Sequence, residues 1–277
     1  MAPNAPSVPS IALNDGTSIP QLGFGVFRVD PADTPRVVSD ALEVGYRHID
    51  TAAGYRNEEG VGRAIAESGL ARDEVFVTTK FPNDGTKHAP EALRESLDKL
   101  GLDRVDLYLI HWPRPRLGHA LEEWQNLIEL QREGLTTSIG VSNFRVADLD
   151  LVIGETGATP AVNQIELHVE FQQRELREYH RAHGIATESW FPLGGGEVSS
   201  APALLEIARA HGVTPAQAVL RWQLQLGNIV IPKSNRRERM SENLDVLGFQ
   251  LGDDELAALS AIDLGEDGRR GSHPDTM

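Results

Sequence analysis

Four residues able to do proton chemistry stand at the ends of three successive apolar stretches. The segment Tyr46-Arg-His-Ile-Asp-Thr-Ala-Ala-Gly-Tyr55 begins as an apolar–polar alternation and runs out into small residues, as a buried strand does where it empties into a loop. Asp50 closes the strand and Tyr55 follows in the loop. Residues 75–79 end at Lys80, and residues 105–110 end at His111. In a parallel barrel the C-terminal strand tips converge on one mouth, so a carboxylate, a phenol, an ammonium and an imidazole would meet there. A phenol can donate a proton only if its phenolate is tolerable near neutral pH; its reference pKa is about 10, so a nearby cation must lower it. Lys80 could be that cation, Asp50 could hold it charged and oriented, and His111 could hydrogen-bond a carbonyl oxygen and steer it toward Tyr55. Such a set suits protonation of an alkoxide as it develops. The chain has no cysteine and no Gly-x-Ser-x-Gly elbow, so no nucleophile accompanies the four. A hydride cofactor is the missing electron source. Singly, each residue has a plainer reading as a solvated charge, a packed ring or a structural histidine. Their recurrence at successive tips argues for a site.

The elements that would position them alternate along the chain. Residues 7–13 and 18–26 flank Asn14-Asp15-Gly16, a hairpin signal. Helical patterns over 33–44, 58–68, 89–100, 117–133, 146–156 and 173–183 each precede a strand pattern, at 47–50, 75–80, 105–111, 137–142, 161–166 and 185–190. Residues 201–227 hold two helical segments split near Gly212, the second opened by Thr214-Pro215 as cap and first-turn proline. A strand over 228–232 and helices over 238–247 and 253–262 follow. With 22–26 as the first strand, the pattern predicts a parallel eight-stranded sheet with right-handed crossovers. The expected fold is one α/β domain over 1–277, a (β/α)8 or TIM barrel, with an N-terminal β-hairpin closing the bottom and a C-terminal tail loop. Residues 265–277, rich in glycine and charge, are expected to be flexible.

Composition narrows the partners. The 277 residues are 40% hydrophobic and 24% charged, with a net charge of −15. Such a chain repels nucleic acid and anionic membranes. No apolar run nears the roughly 20 residues that span a bilayer, and the N-terminus has no signal-peptide pattern. A cytoplasmic monomer acting on a small molecule is expected. One basic cluster, Lys233, Arg236, Arg237 and Arg239, follows an apolar strand and could hold a small anion.

Several segments resemble the signatures of the aldo-keto reductases: Gly45-Tyr-Arg-His-Ile-Asp-Thr-Ala, Val105-Asp-Leu-Tyr-Leu-Ile-His-Trp-Pro, Ile139-Gly-Val-Ser-Asn-Phe and Ile231-Pro-Lys-Ser. The likeness runs from about Ile11 to about Asp263. Asn57-Glu-Glu-Gly-Val-Gly, Pro160-Ala-Val-Asn-Gln-Ile-Glu-Leu-His and Arg236-Arg-Glu-Arg draw it toward the bacterial branch that contains the 2,5-diketo-D-gluconate reductases. The resemblance implies NADPH/NADP+ as cofactor, bound without a Rossmann domain. Gly60-Val-Gly-Arg-Ala-Ile is accordingly read as helix packing rather than a dinucleotide fingerprint.

The resemblance further implies Tyr55 as proton donor, Lys80 and Asp50 as its tuning pair and His111 as the substrate-orienting residue. Ser142, Asn143 and Gln164 would hold the nicotinamide carboxamide, with Trp190 stacked on the ring and Leu193 beside it. Lys233, Ser234, Asn235 and Arg239 would grip the adenosine 2′-phosphate, with Glu242 and Asn243 near the adenine. Phe27, Phe81, Trp112, Phe144 and Phe191 would line the pocket for a carbonyl substrate, a keto-sugar acid or a small dicarbonyl. The chain departs from the family pattern at Phe81, at Val169-Glu170, and in short loops at 113–119 and 194–200. The first of these carries Arg114 and Arg116, either solvated or an attraction for a carboxylated substrate. Two other readings stay open: a metal-dependent barrel hydrolase built on His48-Ile-Asp50, and an NADPH-binding redox sensor without turnover.

Overall fold

Short apolar strands separated by amphipathic helices bury both faces of a parallel sheet only if the helices wrap around it. The computed structural model takes that form, and it describes residues 8–195 and 201–277. A hairpin of β1 (Ser10–Ala12) and β2 (Ser18–Pro20) comes first. The barrel strands are β3 (Phe24–Gly25), β4 (His48–Asp50), β5 (Phe76–Phe81), β6 (Val105–Ile110), β7 (Thr136–Ser142), β8 (Val162–Glu166), β9 (Ala186–Trp190) and β10 (Ile229–Val230). Between them lie α1 (Thr34–Val44), α2 (Glu58–Glu67), α3 (Ala89–Leu100), α4 (Ala120–Arg132), α5 (Val146–Thr156), α6 (Arg174–His183), α7 (Pro202–His211) and α8 (Pro215–Gln225), with α9 (Arg237–Leu244) and α10 (Asp253–Ser260) after the last strand.

The strands pair in chain order, β3 to β10, all parallel. A parallel bridge between Leu22 and Val230 closes the ring, with Gly23 N donating to Val230 O at 2.8 Å and Val230 N to Gln21 O at 2.9 Å. The hairpin seals the bottom, as expected. Ile19 is fully buried among Leu107, Leu109, Val162 and Ile229, and Asn14 Nδ2 donates to Pro160 O at 3.0 Å.

Local chemistry explains the boundaries. Thr214 caps α8 and Gln217 returns the bond to Thr214 N at 2.9 Å, so the expected split at Gly212 is a true helix end and start. β10 keeps only two of its five expected residues; Pro232 lacks an N–H, and only its carbonyl joins the ring, accepting from Gly25 N at 3.2 Å. α9 ends at Leu244 rather than 247 because Asp245 leaves helical geometry. The first residue of the expected strand 7–13 and most of the short loop 194–200 lie outside the described residues.

Gly60 and Gly62 belong to helix packing. A Cβ on Gly62 would sit 2.1 Å from the carbonyl oxygen of Leu100 at the end of α3, and one on Gly60 2.8 Å from Thr34 Cβ on α1. Gly154, by contrast, has nothing near it in the exposed face of α5. Gly62→Ala is therefore expected to cost about 1–3 kcal/mol by overpacking, and Gly154→Ala to gain up to about 1 kcal/mol from helix propensity. Urea unfolding of the two variants checks this, and equal effects would contradict it.

Candidate active site

A strand turns alternate side chains to opposite faces, so His48 and Asp50 on β4, Thr78 and Lys80 on β5, Gln164 on β8 and Glu188 on β9 face the barrel's axis. Lys80 is completely buried, and an ammonium tolerates that only when its hydrogens find acceptors. It finds Asp50 Oδ1 and Oδ2 at 2.6 and 2.7 Å and the Thr51 carbonyl at 2.8 Å. The Tyr55 hydroxyl lies 3.5 Å from the same nitrogen, at the limit of a hydrogen bond. Burial alone would lower the Lys80 pKa, but Asp50, Tyr55 and Glu188 overcome it and hold the ammonium above its ordinary value.

Tyr55 closes a short 3-10 turn (Ala53–Tyr55) held by Asn57, whose side chain accepts from Thr51 Oγ1 at 2.9 Å and donates to Val26 O at 3.0 Å. The expected net lowering of the phenol's pKa is not what the environment produces. Lys80 does pull it down, but burial, reinforced by Asp50 and Glu188, is the larger effect and the phenol is raised. Tyr55 therefore keeps its proton at neutrality, which a proton donor must do. The His111 ring meets Tyr55 edge-on with centroids 5.6 Å apart. Burial, Lys80 and Arg114 hold His111 well below the usual histidine range, so it is a neutral imidazole. The four tip residues are thus gathered at one mouth.

The amide cluster also forms. Asn143, in left-handed geometry at φ 64°, donates to His111 O and Ser142 Oγ, both at 3.0 Å, and accepts from Trp190 Nε1 at 2.8 Å. Ser142 Oγ donates to Gln164 O at 2.8 Å. Gln164 Nε2 donates to Asp50 Oδ2 and Glu188 Oε2, each at 2.8 Å. The capacity left over is Gln164 Oε1 and a lone pair of Asn143 Oδ1, acceptors suited to an amide NH2. Leu193 is half-buried and packs on the core beneath this loop.

Above the mouth, Lys233 and Arg239 are exposed, and among the described residues neither they nor Arg28 has a carboxylate within salt-bridge distance. Arg237 of the same cluster is tied to Asp40 and Glu43 at 3.1 and 2.5 Å. Arg28 presses on Lys233, which burial and that neighbour hold below its ordinary pKa. Uncompensated cations in a chain of net charge −15 are suited to a small anion; Arg28 stands with them and was not expected from sequence. Ser234 turns its hydroxyl onto the Arg236 backbone, and Asn235 is exposed beside it. Glu242 is held by Thr214 Oγ1 at 2.8 Å, while the buried Asn243 side chain makes no hydrogen bond to the described residues.

Two pocket assignments are corrected. Phe81 follows the inward Lys80 by one residue, so the strand sends it to the outer layer, where it is 1% exposed among core residues. Phe144 is likewise fully buried in the core. Phe27, exposed against Tyr55 with ring centroids 5.0 Å apart, Trp112 stacked on His111, and the exposed Phe191 do stand at the mouth. So does the tail. Arg270 N and Gly271 N donate to the buried Glu166 carboxylate at 2.6 and 2.9 Å, and Gly271 packs so closely on Trp190 that a Cβ would lie 2.3 Å from the ring. Asp50, with both oxygens on Lys80, has little to offer the metal ion of the hydrolase reading; among the described residues no three potential ligands converge.

The sequence profile of the Aldo/keto reductase family matches residues 21–264. The chain is 49% identical over 267 residues to methylglyoxal reductase DkgA of Escherichia coli (strain K12), covering 96% of both, and 50% identical over 272 residues to an aldo-keto reductase of Mycobacterium sp. (strain KMS), covering 97% of this chain and 98% of that one. Among solved structures it is similar to a mutant of Gox0644 in complex with NADPH (TM-score 0.93, 46% identity, 98% of this chain and 99% of that one). It is also similar to a Bombyx mori aldo-keto reductase in complex with NADP (TM-score 0.88, 37% identity, 96% and 95%).

The buried pair makes a prediction of its own. Lys80→Met removes the ammonium that opposes burial at Asp50, whose pKa burial has already raised. A carboxyl raised in the fold stabilises it below its ordinary value and ceases to as the pH climbs through the folded pKa. The variant should therefore lose stability from about pH 4 upward and lie about 3–5 kcal/mol below wild type near pH 7. A gap independent of pH in urea titrations would contradict this.

Proposed function

The chain belongs to the aldo/keto reductase family of NADP-dependent oxidoreductases, and we propose that it reduces an aldehyde or ketone with Tyr55 as the proton donor. The observation that carries the assignment is the Tyr55 hydroxyl 3.5 Å from a fully buried ammonium. NADPH, when bound, supplies the hydride to the carbonyl carbon. Tyr55 gives its proton to the carbonyl oxygen as that oxygen becomes an alkoxide, and the Lys80 charge eases the negative charge left on the phenol. The neutral His111 offers a hydrogen bond to the same oxygen and aligns it.

The chain's residues fit the cofactor at both ends. Gln164 and Asn143 present acceptors for the carboxamide, and Trp190 offers a face for the nicotinamide, its edge backed by Gly271. Arg28, Lys233 and Arg239 offer uncompensated charge for the 2′-phosphate. Phe27, Trp112 and Phe191 surround a mouth suited to small carbonyls. Methylglyoxal and related dicarbonyls are the first candidates, in view of the methylglyoxal reductase relative; a keto-sugar acid is the second. We read the enzyme as a cytoplasmic monomer; no helix among the described residues is long and apolar enough to cross a membrane.

Tyr55→Phe is expected to lower the turnover number at least about 100-fold while NADPH binding, read by fluorescence titration, stays within about twofold. Retained turnover would remove Tyr55 as the acid. Arg239→Ala is expected to weaken NADPH about tenfold or more, the loss of a charge-assisted phosphate contact, and to leave NADH nearly unchanged. An equal loss for both cofactors would place the phosphate clamp elsewhere.

A further inference from the structure

A second carboxyl group lies beside the Lys80–Asp50 pair and takes no part in the proton transfer. Glu188 comes from the middle of β9 and is completely buried, where a barrel strand ordinarily offers an apolar side chain. Its Oε2 accepts from Gln164 Nε2 at 2.8 Å, and the same nitrogen donates to Asp50 Oδ2 at 2.8 Å. Its Oε1 has no hydrogen-bond partner and lies 3.6 Å from His48 Nε2.

An amide nitrogen has two hydrogens, and Gln164 spends both on these two carboxyl groups. Asp50 fixes its orientation: a flip would set Oε1 against that carboxylate, and the second hydrogen is then the one that reaches Glu188. Oε1 is left free as an acceptor only because Glu188 and Asp50 take the other end. The charges of the same set balance only if Glu188 is neutral. Lys80 carries one positive charge and Asp50 one negative. His48 is neutral, its pKa lowered by burial to about 3. β10 brings Ile229 alongside Glu188 and no titratable group, and β8 brings the uncharged Gln164. A second carboxylate would therefore be a buried charge without a counterion.

We propose that Glu188 is a positioning residue for the reduction: bonded as the neutral acid to Gln164, it fixes the carboxamide that faces the nicotinamide and leaves the Lys80–Asp50 pair electrically balanced behind Tyr55. The proposal rests on the reading of this mouth as the NADPH site with Tyr55 as its acid. Burial and Asp50 raise Glu188 to about 8, so it holds its proton at neutrality and releases it in mild alkali. The anion then formed is one of the charges that raise the Tyr55 phenol, and it works against proton donation. Protonated Glu188 also stabilises the fold, a contribution complete below its ordinary 4.5 and lost as the pH rises through about 8.

The test compares wild type, Glu188→Gln and Glu188→Leu as full chains with NADPH, using methylglyoxal as the carbonyl. Wild-type kcat/KM is expected to fall several-fold between about pH 7 and pH 9. Glu188→Gln, which copies the neutral acid, should stay within about threefold of wild type at pH 7 and lose that alkaline fall. Glu188→Leu, unable to bond Gln164, should bind NADPH about tenfold more weakly. An independent readout is the infrared band of a protonated carboxyl, present in wild type near neutrality, absent from Glu188→Gln and lost in alkali. Superimposable pH profiles for wild type and Glu188→Gln, or no such band, would overturn the proposal. Wild-type turnover that vanishes in Tyr55→Phe sustains the reading of the reaction independently, so the two can fail separately.

Discussion

An ammonium buried at the centre of a protein must be surrounded, and that requirement organises this one. Lys80 reaches two carboxylate oxygens and a backbone carbonyl within 2.8 Å. These acceptors come from the tip of β4, so β4 and β5 must be neighbours in a fixed register, as the pairing of Asp50 with Thr78 makes them. A shift of one residue would turn Lys80 outward and Phe81 inward. The same register puts the Tyr55 turn over the nitrogen and aligns His111 one strand further on. The pair is a costly arrangement in stability terms, and its place at the mouth is what the proposed chemistry uses.

Burial then sets the protonation of everything near it. It raises the phenol, depresses His111 and lifts Glu188. The outcome at neutrality is a protonated acid, a neutral hydrogen-bond donor and one compensated charge pair. In the proposed reduction Lys80 thus acts less by making Tyr55 ionise in the resting enzyme than by stabilising charge that develops during proton transfer. The distinction matters because a resting phenolate would have no proton to give.

Much of this was legible in the sequence. Asp50, Lys80 and His111 could be read as tip residues because each strand pattern runs out at them, although β5 continues one residue further to Phe81, and Thr214-Pro215 announced α8 by its cap. The glycines at 60 and 62 were legible as packing because they open no strand–turn–helix unit. Aromatic residues were less so. Phe81 and Phe144 adjoin site residues in the chain, and chain proximity misplaced both: on β5 the residue next to the inward Lys80 faces the other way, and Phe144, in the loop past the left-handed turn at Asn143 that follows β7, is buried in the core. Glu188 carried a signal, an acid in the middle of a strand, whose meaning depends on Gln164 and Asp50 across the barrel. Arg28 and the docking of Arg270 and Gly271 on Glu166 depend on contacts between segments far apart in the chain, which no local pattern encodes.

The protonation state of Tyr55 tests the account most directly. The chain has four tyrosines, so 13Cζ labelling gives few resonances, and Tyr55→Phe assigns the one that matters. The account predicts that the Tyr55 signal keeps the shift of a protonated phenol from about pH 6 through pH 9, titrating only above the ordinary tyrosine value of about 10. A phenolate shift at neutral pH would contradict it.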